Sequence, residues 1–547
     1  MAERLIFIFF LIVFSNVLKA QSSGEDYYWV EFTDKNGTQY SIDQPEEFLS
    51  QRAVDRRTRQ NIEIDKTDLP VSKIYTDSLQ TMGFHLKHTS KWLNGCTVST
   101  ADTGLINQLR NVSFIKYIEL TRPAITSKSS KNKFENTEQW SGTTDSTYYG
   151  TSWFRINQMN GFALHREGFR GKGIQIAVLD NGFLNAGRIA AFDSLWSAGR
   201  ILGTRDFVTP GGNVFHEGGH GTKVLSAMGA CLPNQLIGTA PDASYYLFRT
   251  EDDASEYLIE EDNWVAGAEY ADSLGADIIN SSLGYYEFDD TTMNHTYADM
   301  DGNTTRVTRA ANMAAEKGIL VCNSAGNEGN KTWHYIIAPS DGNGVMGVGA
   351  VDSEGEPAAF TSYGPASGGS VKPNVSAMGV STALIGTNGA IVESSGTSFS
   401  SPLLAGMAAC LWQTFPKAKA SEIKEVIEQS GNLFDAPDNR LGYGIPDFGL
   451  ALFLLTKKQL PDNPKNADWY FYPNPVDDHL QIVWLHDEIF SECRVQVISL
   501  RGNPVLDRIF TNSGLINLSN LANLPSGLYL LKLTSEEKSS AFKIVKR

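Results

Sequence analysis

The stretch Ile174-Gln175-Ile176-Ala177-Val178-Leu179-Asp180 decides how the middle of this chain folds. Apolar residues run almost unbroken into an aspartate, and Asn181-Gly182 follow at once. A run this short, apolar on both faces, reads as a strand covered on both sides. Similar runs recur at 243–247, 278–279, 319–321 and 345–348, separated by segments of helical pattern. Buried strands alternating with helices predict an α/β unit over residues 151–456, built on a doubly wound parallel sheet.

The pattern changes on either side. Upstream, 27–32 reads as a strand, 46–60 and 71–82 as helices, and 84–100 as two strands around Asn94-Gly95. A polar helix at 103–109 and a strand at 114–118 follow. The order β-α-β-β-α-β predicts a ferredoxin-like α+β unit over 21–123. Residues 124–150 are mostly Ser, Thr, Lys, Asn and Gly, too polar to order themselves by burial, so they read as a linker and a natural cleavage region. Downstream, the polar segment 457–466 is a second linker. Residues 467–547 hold short alternating runs between Asn, Gly, Pro and Asp, as in an antiparallel β-sandwich of about seven strands.

Composition bounds the function. At 547 residues, 41% hydrophobic and 20% charged, the chain is a soluble globular protein of several domains. A net charge of −16 argues against nucleic acid as a partner, because phosphate binding needs a basic surface. At the start, Arg4 precedes an apolar run at 5–14, then Ser15-Asn16 and the small residue Ala20. Residues 1–20 therefore read as a signal peptide; the run falls far short of the roughly 20 residues of a transmembrane helix. A buried N-terminal strand or helix is the alternative. The five cysteines are scattered, with no CxxC pair to hold zinc.

Three segments of the α/β unit carry polar side chains where chemistry is done. Asp180 ends a strand, at the edge where open α/β sheets place their sites, though taken singly it reads equally as a turn or cap aspartate. His220 lies in Gly218-Gly219-His220-Gly221-Thr222, at the start of a small-residue helix, with glycines that let the backbone crowd the imidazole. Ser398 lies in Gly396-Thr397-Ser398-Phe399-Ser400-Ser401-Pro402, at a helix start where unpaired N–H groups favour negative charge. A simple N-cap is the bland reading of that serine. The conjunction decides: Asp, His and Ser stand at element boundaries of one unit, in an order used by one class of Ser-His-Asp hydrolases.

Residues 151–456 resemble the subtilase family of serine peptidases. The resemblance rests on Val178-Leu179-Asp180-Asn181-Gly182, His220-Gly221-Thr222, Ser281-Ser282-Leu283-Gly284, Ser324-Ala325-Gly326-Asn327 and the segment 396–402. It implies a subtilisin-like fold in which Asp180 orients the imidazole, His220 is the general base and Ser398 the nucleophile. It implies further that Asn327 donates to the oxyanion, that Ser282, Leu283 and Gly284 pair with substrate backbone, and that Ala325 and Gly326 wall the S1 pocket. Phe399 stands where the family commonly has Met, and Lys223 where a second His is frequent. The unit 21–123 is similar to a subtilase propeptide, an inhibitor of its own enzyme. The tail, with Tyr472-Pro473-Asn474-Pro475 and Leu524-Pro525-Ser526-Gly527-Leu528-Tyr529, resembles the sorting domain of the type IX secretion machinery of Bacteroidetes. An adhesive or carbohydrate-binding sandwich is the other reading of the tail.

Together these imply a serine endopeptidase of protein or peptide substrates, made as a zymogen. It would be carried through the periplasm and outer membrane to the cell surface or medium. No cofactor is required for such chemistry. An esterase or amidase on the same triad, and a catalytically silent surface-binding protein, are the rivals. Two weaker signals complete the reading. Asp299-Met300-Asp301-Gly302-Asn303 is similar to the start of an EF-hand loop and leaves room for a structural calcium, but its Gly is fourth rather than sixth and Ala310 holds the twelfth position. The run 251–262, seven acidic residues in twelve, reads as a solvated helix face, with acidic groups near the cleft favouring basic substrates.

Overall fold

The computed structural model describes residues 24–124, 133–134, 137–139, 148–459, 468–486, 490–535 and 538–547. The expected signal peptide, and most of both linkers, lie outside the described residues.

The apolar runs form a seven-stranded sheet. Across it the strands stand in the order Val375–Met378, Val345–Val351, Leu320–Ser324, Ile278–Ser281, Gln175–Asp180, Ser244–Arg249 and Ile201–Asp206. All neighbours pair in parallel. Helices His220–Gly229 and Thr397–Thr414 cover one face, and Ile259–Leu274 and Arg306–Glu316 cover the other. The doubly wound α/β reading therefore holds. The two edge strands were not anticipated. Ile201–Asp206 is half exposed and polar, and Val375–Met378 is short, so neither shows the pattern of a doubly covered strand.

The N-terminal unit is an antiparallel four-stranded sheet in the order His85–Ser90, Gly95–Thr100, Asp26–Phe32, Ile115–Arg122, the ferredoxin-like arrangement. Its first long helix starts at Gln51 rather than 46: Pro45 opens a short 3-10 turn, and the Ser50 hydroxyl then caps Ala53 N–H. The unit docks on helix Ile259–Leu274, with Trp29, Trp92 and Leu93 packed beside Trp264 and Ala268. Charge completes the contact. Arg56, Arg57 and Lys91 surround the Asp272 carboxylate at 2.5, 2.9 and 2.8 Å, all nearly removed from water.

The tail forms a three-stranded and a four-stranded antiparallel sheet. Their inner faces close on Trp469, Ile482, Val495, Val497, Leu531 and their neighbours, as a sandwich requires.

Candidate active site

Asp180 ends the strand Gln175–Asp180, and His220 opens the helix His220–Gly229. Burial of both side chains puts a premium on their pairing, and Asp180 Oδ1 lies 2.8 Å from His220 Nδ1. The same oxygen accepts from Asn181 N–H at 2.8 Å. A carboxylate can only accept, so the Nδ1 of the imidazole carries hydrogen and Nε2 carries the lone pair. The glycines make the approach possible. A side chain at Gly221 would lie 2.3 Å from Gly182 O, and one at Gly218, whose φ is +54°, would lie 2.3 Å from Asn181 O.

Ser398 stands in the first turn of helix Thr397–Thr414. Phe399 brings this helix against the histidine, its ring centroid 5.6 Å from the imidazole. The two departures from the family pattern meet here, with the Lys223 ammonium 5.2 Å from the Phe399 ring. Pro402 lies inside the helix and offers no N–H to the Ser398 carbonyl four residues back. Ser282 Oγ fills that need, donating to Ser398 O at 2.8 Å. The serine after strand Ile278–Ser281 thus ties the segment 282–284 to the helix that carries Ser398.

Asn327 is anchored by the same turn. Its side-chain oxygen accepts from Thr397 N–H at 2.9 Å and from Thr397 Oγ1 at 3.0 Å. The backbone donor fixes which end of the amide is oxygen, and the NH₂ end points away from Thr397. Ser282, Leu283, Gly284, Gly326, Asn327 and Ser398 line one cleft of about 720 Å³. Ala325 lies behind that wall, packed with Ile336 and Ala366.

One reading changes. The run 251–262 is not a solvated face: Glu251, Glu260, Glu261 and Asp262 are 2% exposed or less. Cations from elsewhere cover it. Lys133 meets Glu251, Glu256 and Glu260, His295 meets Glu261, and Arg306 meets Asp262. Asp299 and Asp301 cap their own turns. Asp299 accepts from Thr296 N–H at 2.7 Å, and Asp301 from Asn303 and Thr304 N–H at 2.8 Å. The carboxylates that converge among the described residues are instead Glu251, Glu256 and Glu260, their oxygens all within 4.8 Å of one another. The sequence reading also missed Ser282 Oγ and Thr397 as supports. Only the position of Pro402 signals the first, by leaving a carbonyl four residues back without its helical donor.

Comparison with known proteins identifies the family. Residues 171–444 match the subtilase family. The chain belongs to it. Residues 27–138 match the peptidase S8 propeptide domain of Bacteroidota, and 470–547 match a secretion system C-terminal sorting domain. A thermostable alkaline protease of Halalkalibacterium halodurans is 31% identical over 298 residues, covering 54% of this chain and 72% of that one. Subtilisin NAT of Bacillus subtilis subsp. natto is 29% identical, covering 51% and 67%. The epidermin leader peptide processing serine protease of Staphylococcus aureus shares the fold, with a TM-score of 0.54 at 17% identity over 81% of this chain and all of that one. This subtilase is a serine-type endopeptidase with a propeptide and a sorting tail, which implies a secreted zymogen at the cell surface or outside the cell. No helix among the described residues is long and apolar enough to cross a membrane.

Proposed function

We propose that this subtilase hydrolyses peptide bonds of protein or peptide substrates through an acyl-enzyme, with Ser398 as nucleophile, His220 as general base and Asp180 as the orienting carboxylate. The 2.8 Å pairing of His220 Nδ1 with Asp180 Oδ1 carries the reading, since it leaves Nε2 as the proton acceptor. A serine hydroxyl is a weak nucleophile near neutral pH and needs such a base. Its proton passes to Nε2 as Oγ bonds to the carbonyl carbon. The imidazolium then protonates the departing amine as the C–N bond breaks, and water repeats the sequence to free the acid. Asn327 Nδ2 donates to the oxyanion, a contribution of about 2.7–4 kcal/mol to the barrier in sites of this type. These steps move protons between side chains and call on no cofactor.

A fluorophosphonate tests the assignment. It should label the matured protein at Ser398, and the Ser398→Ala variant should be neither labelled nor active. Turnover that survives in that variant would overturn the triad. The propeptide serves as the enzyme's own inhibitor, removed by cutting in the linker 124–150. The tail directs export by the type IX machinery through the periplasm and outer membrane. Removal of residues 470–547 should then hold the protein in the periplasm of a type IX host; normal yield outside the cell would sink that route.

A further inference from the structure

Next to the catalytic residues, three carboxylates hold a lysine that does not belong to the catalytic domain. Lys133 Nζ lies 2.8 and 2.9 Å from the two oxygens of Glu260, 3.0 Å from Glu256 Oε2 and 3.4 Å from Glu251 Oε2. It also donates to the Ser255 carbonyl at 2.7 Å and the Asp252 carbonyl at 3.0 Å. The side chains of Glu251 and Glu260 are 3% and 1% exposed, and that of Glu256 is 16% exposed. The next residue, Phe134, lies over the catalytic imidazole, with ring centroids 4.5 Å apart. Beyond it, Thr137–Gln139 pairs antiparallel with Ile391–Ser394, the strand that leads to Ser398. The segment thus enters the catalytic centre at the carboxylates and leaves along the strand before the nucleophile.

The receptor for the lysine is made by the catalytic domain alone. Tyr285 Oη donates to Glu251, Asp252 N–H donates to Glu260 at 2.9 Å, and Glu251 and Glu256 line the same cleft as Asn327 and Ser398. Burial pushes the Glu251 carboxyl up to about 8 and that of Glu256 up to about 7, and it holds Glu260 well above its ordinary value. Buried carboxylates so close together cannot all ionise without a cation among them. The propeptide match ends at residue 138, and a cut at or beyond that point takes Lys133 away and leaves the three glutamates in the cleft. We propose that Glu251, Glu256 and Glu260 form an anionic subsite of the mature enzyme that receives a lysine side chain, and after it arginine, from the peptide substrate on the N-terminal side of the scissile bond. Lys133 occupies that subsite in the uncut chain. This assignment rests on the triad reading above.

The test uses the full-length chain after it has matured, with fluorogenic peptides carrying lysine, arginine, norleucine or glutamate in turn at each of the four positions before the scissile bond. At one of these positions lysine should exceed norleucine at least tenfold in kcat/KM, with glutamate the poorest. Glu256→Gln and Glu260→Gln should each lower that lysine-to-norleucine ratio several-fold; a ratio is insensitive to the fraction of enzyme folded. A ratio near one at all four positions, with Ser398 still labelled by a fluorophosphonate, overturns the subsite and leaves the triad standing. Failure to label Ser398 overturns both. If calcium at 1 mM raises the Tm of the matured enzyme but not of its Glu260→Gln variant, and the lysine preference is absent, the glutamates hold a metal ion instead.

Discussion

Two of the charged contacts between the propeptide region and the catalytic domain are built in opposite senses. On helix Ile259–Leu274, one carboxylate, Asp272, is shared by Arg56, Arg57 and Lys91. In the cleft, one ammonium, Lys133, is shared by Glu251, Glu256 and Glu260. The first is a surplus of propeptide cations around an enzyme anion, and those cations hold Asp272 far below the usual carboxylate range. The second is a surplus of enzyme anions, held above the usual range by burial. When the propeptide departs, Asp272 comes to face water, while the glutamates stay in the cleft. The docking contact dissolves on maturation; the cleft contact is left half made.

The largest effect should come from breaking the first contact. In an uncut Ser398→Ala precursor, Asp272→Ala leaves buried Arg56 and Lys91 without their carboxylate and Arg57 with Asp68 alone. The docked state should lose about 3–5 kcal/mol, read as a fall in the urea midpoint. An unchanged midpoint would show that the arginines find other partners and that the contact is apolar at heart.

Breaking the second contact should depend on pH. The folded values of Glu251 and Glu256, about 8 and 7, exceed the 4.5 of an unfolded glutamate. Their contribution to stability is therefore full below about pH 4.5 and is lost as the pH rises through 7 and 8. Lys133 offsets that loss. In the same precursor, Lys133→Met should be nearly silent at pH 5 and cost about 1–3 kcal/mol at pH 9. An equal cost at both values would mean that the carboxylates titrate normally.

The smallest effect lies on the acid side of the docking contact. His88, on the propeptide strand His85–Ser90, has Nε2 2.9 Å from Phe207 O and 3.0 Å from Asn263 Oδ1. Burial pushes the imidazole down to about 4. A depressed histidine supports the docked state above about pH 6.5, and that support is lost as the pH falls through 4. Amide exchange in this strand, corrected for intrinsic rates, should quicken between pH 6.5 and 4. Constant protection to pH 4 would remove His88 from the contact. The two contacts should thus loosen at opposite ends of the pH range.

Much of this molecule is legible in its sequence. Ile176, Val178 and Leu179 have apolar neighbours on both faces of the sheet, and such residues advertise themselves in sequence. Asp180, His220 and Ser398 each sit at an element boundary, where sequence punctuation is strongest. The acidic run 251–262 was misread because composition records a residue's own charge and not its partner's. Lys133 is more than a hundred residues away in sequence, and nothing local marks the glutamates as covered. The edge strands escaped for a related reason: Ile201–Asp206 is defined by the neighbour it pairs with and not by its own pattern.

Pro402 makes two distant sites answer to each other in heredity. Because the proline withholds an amide, the Ser398 carbonyl depends on the Ser282 hydroxyl. A change at 282 to a residue without a donor would strand that carbonyl at the foot of the helix that carries Ser398. A change of Pro402 to alanine would instead give it a rival donor and set Ser282 loose. Neither position can drift alone without disturbing the geometry of the other. Across descendants of this gene the two should be inherited as a pair, with the order of substitution deciding which lineages stay viable.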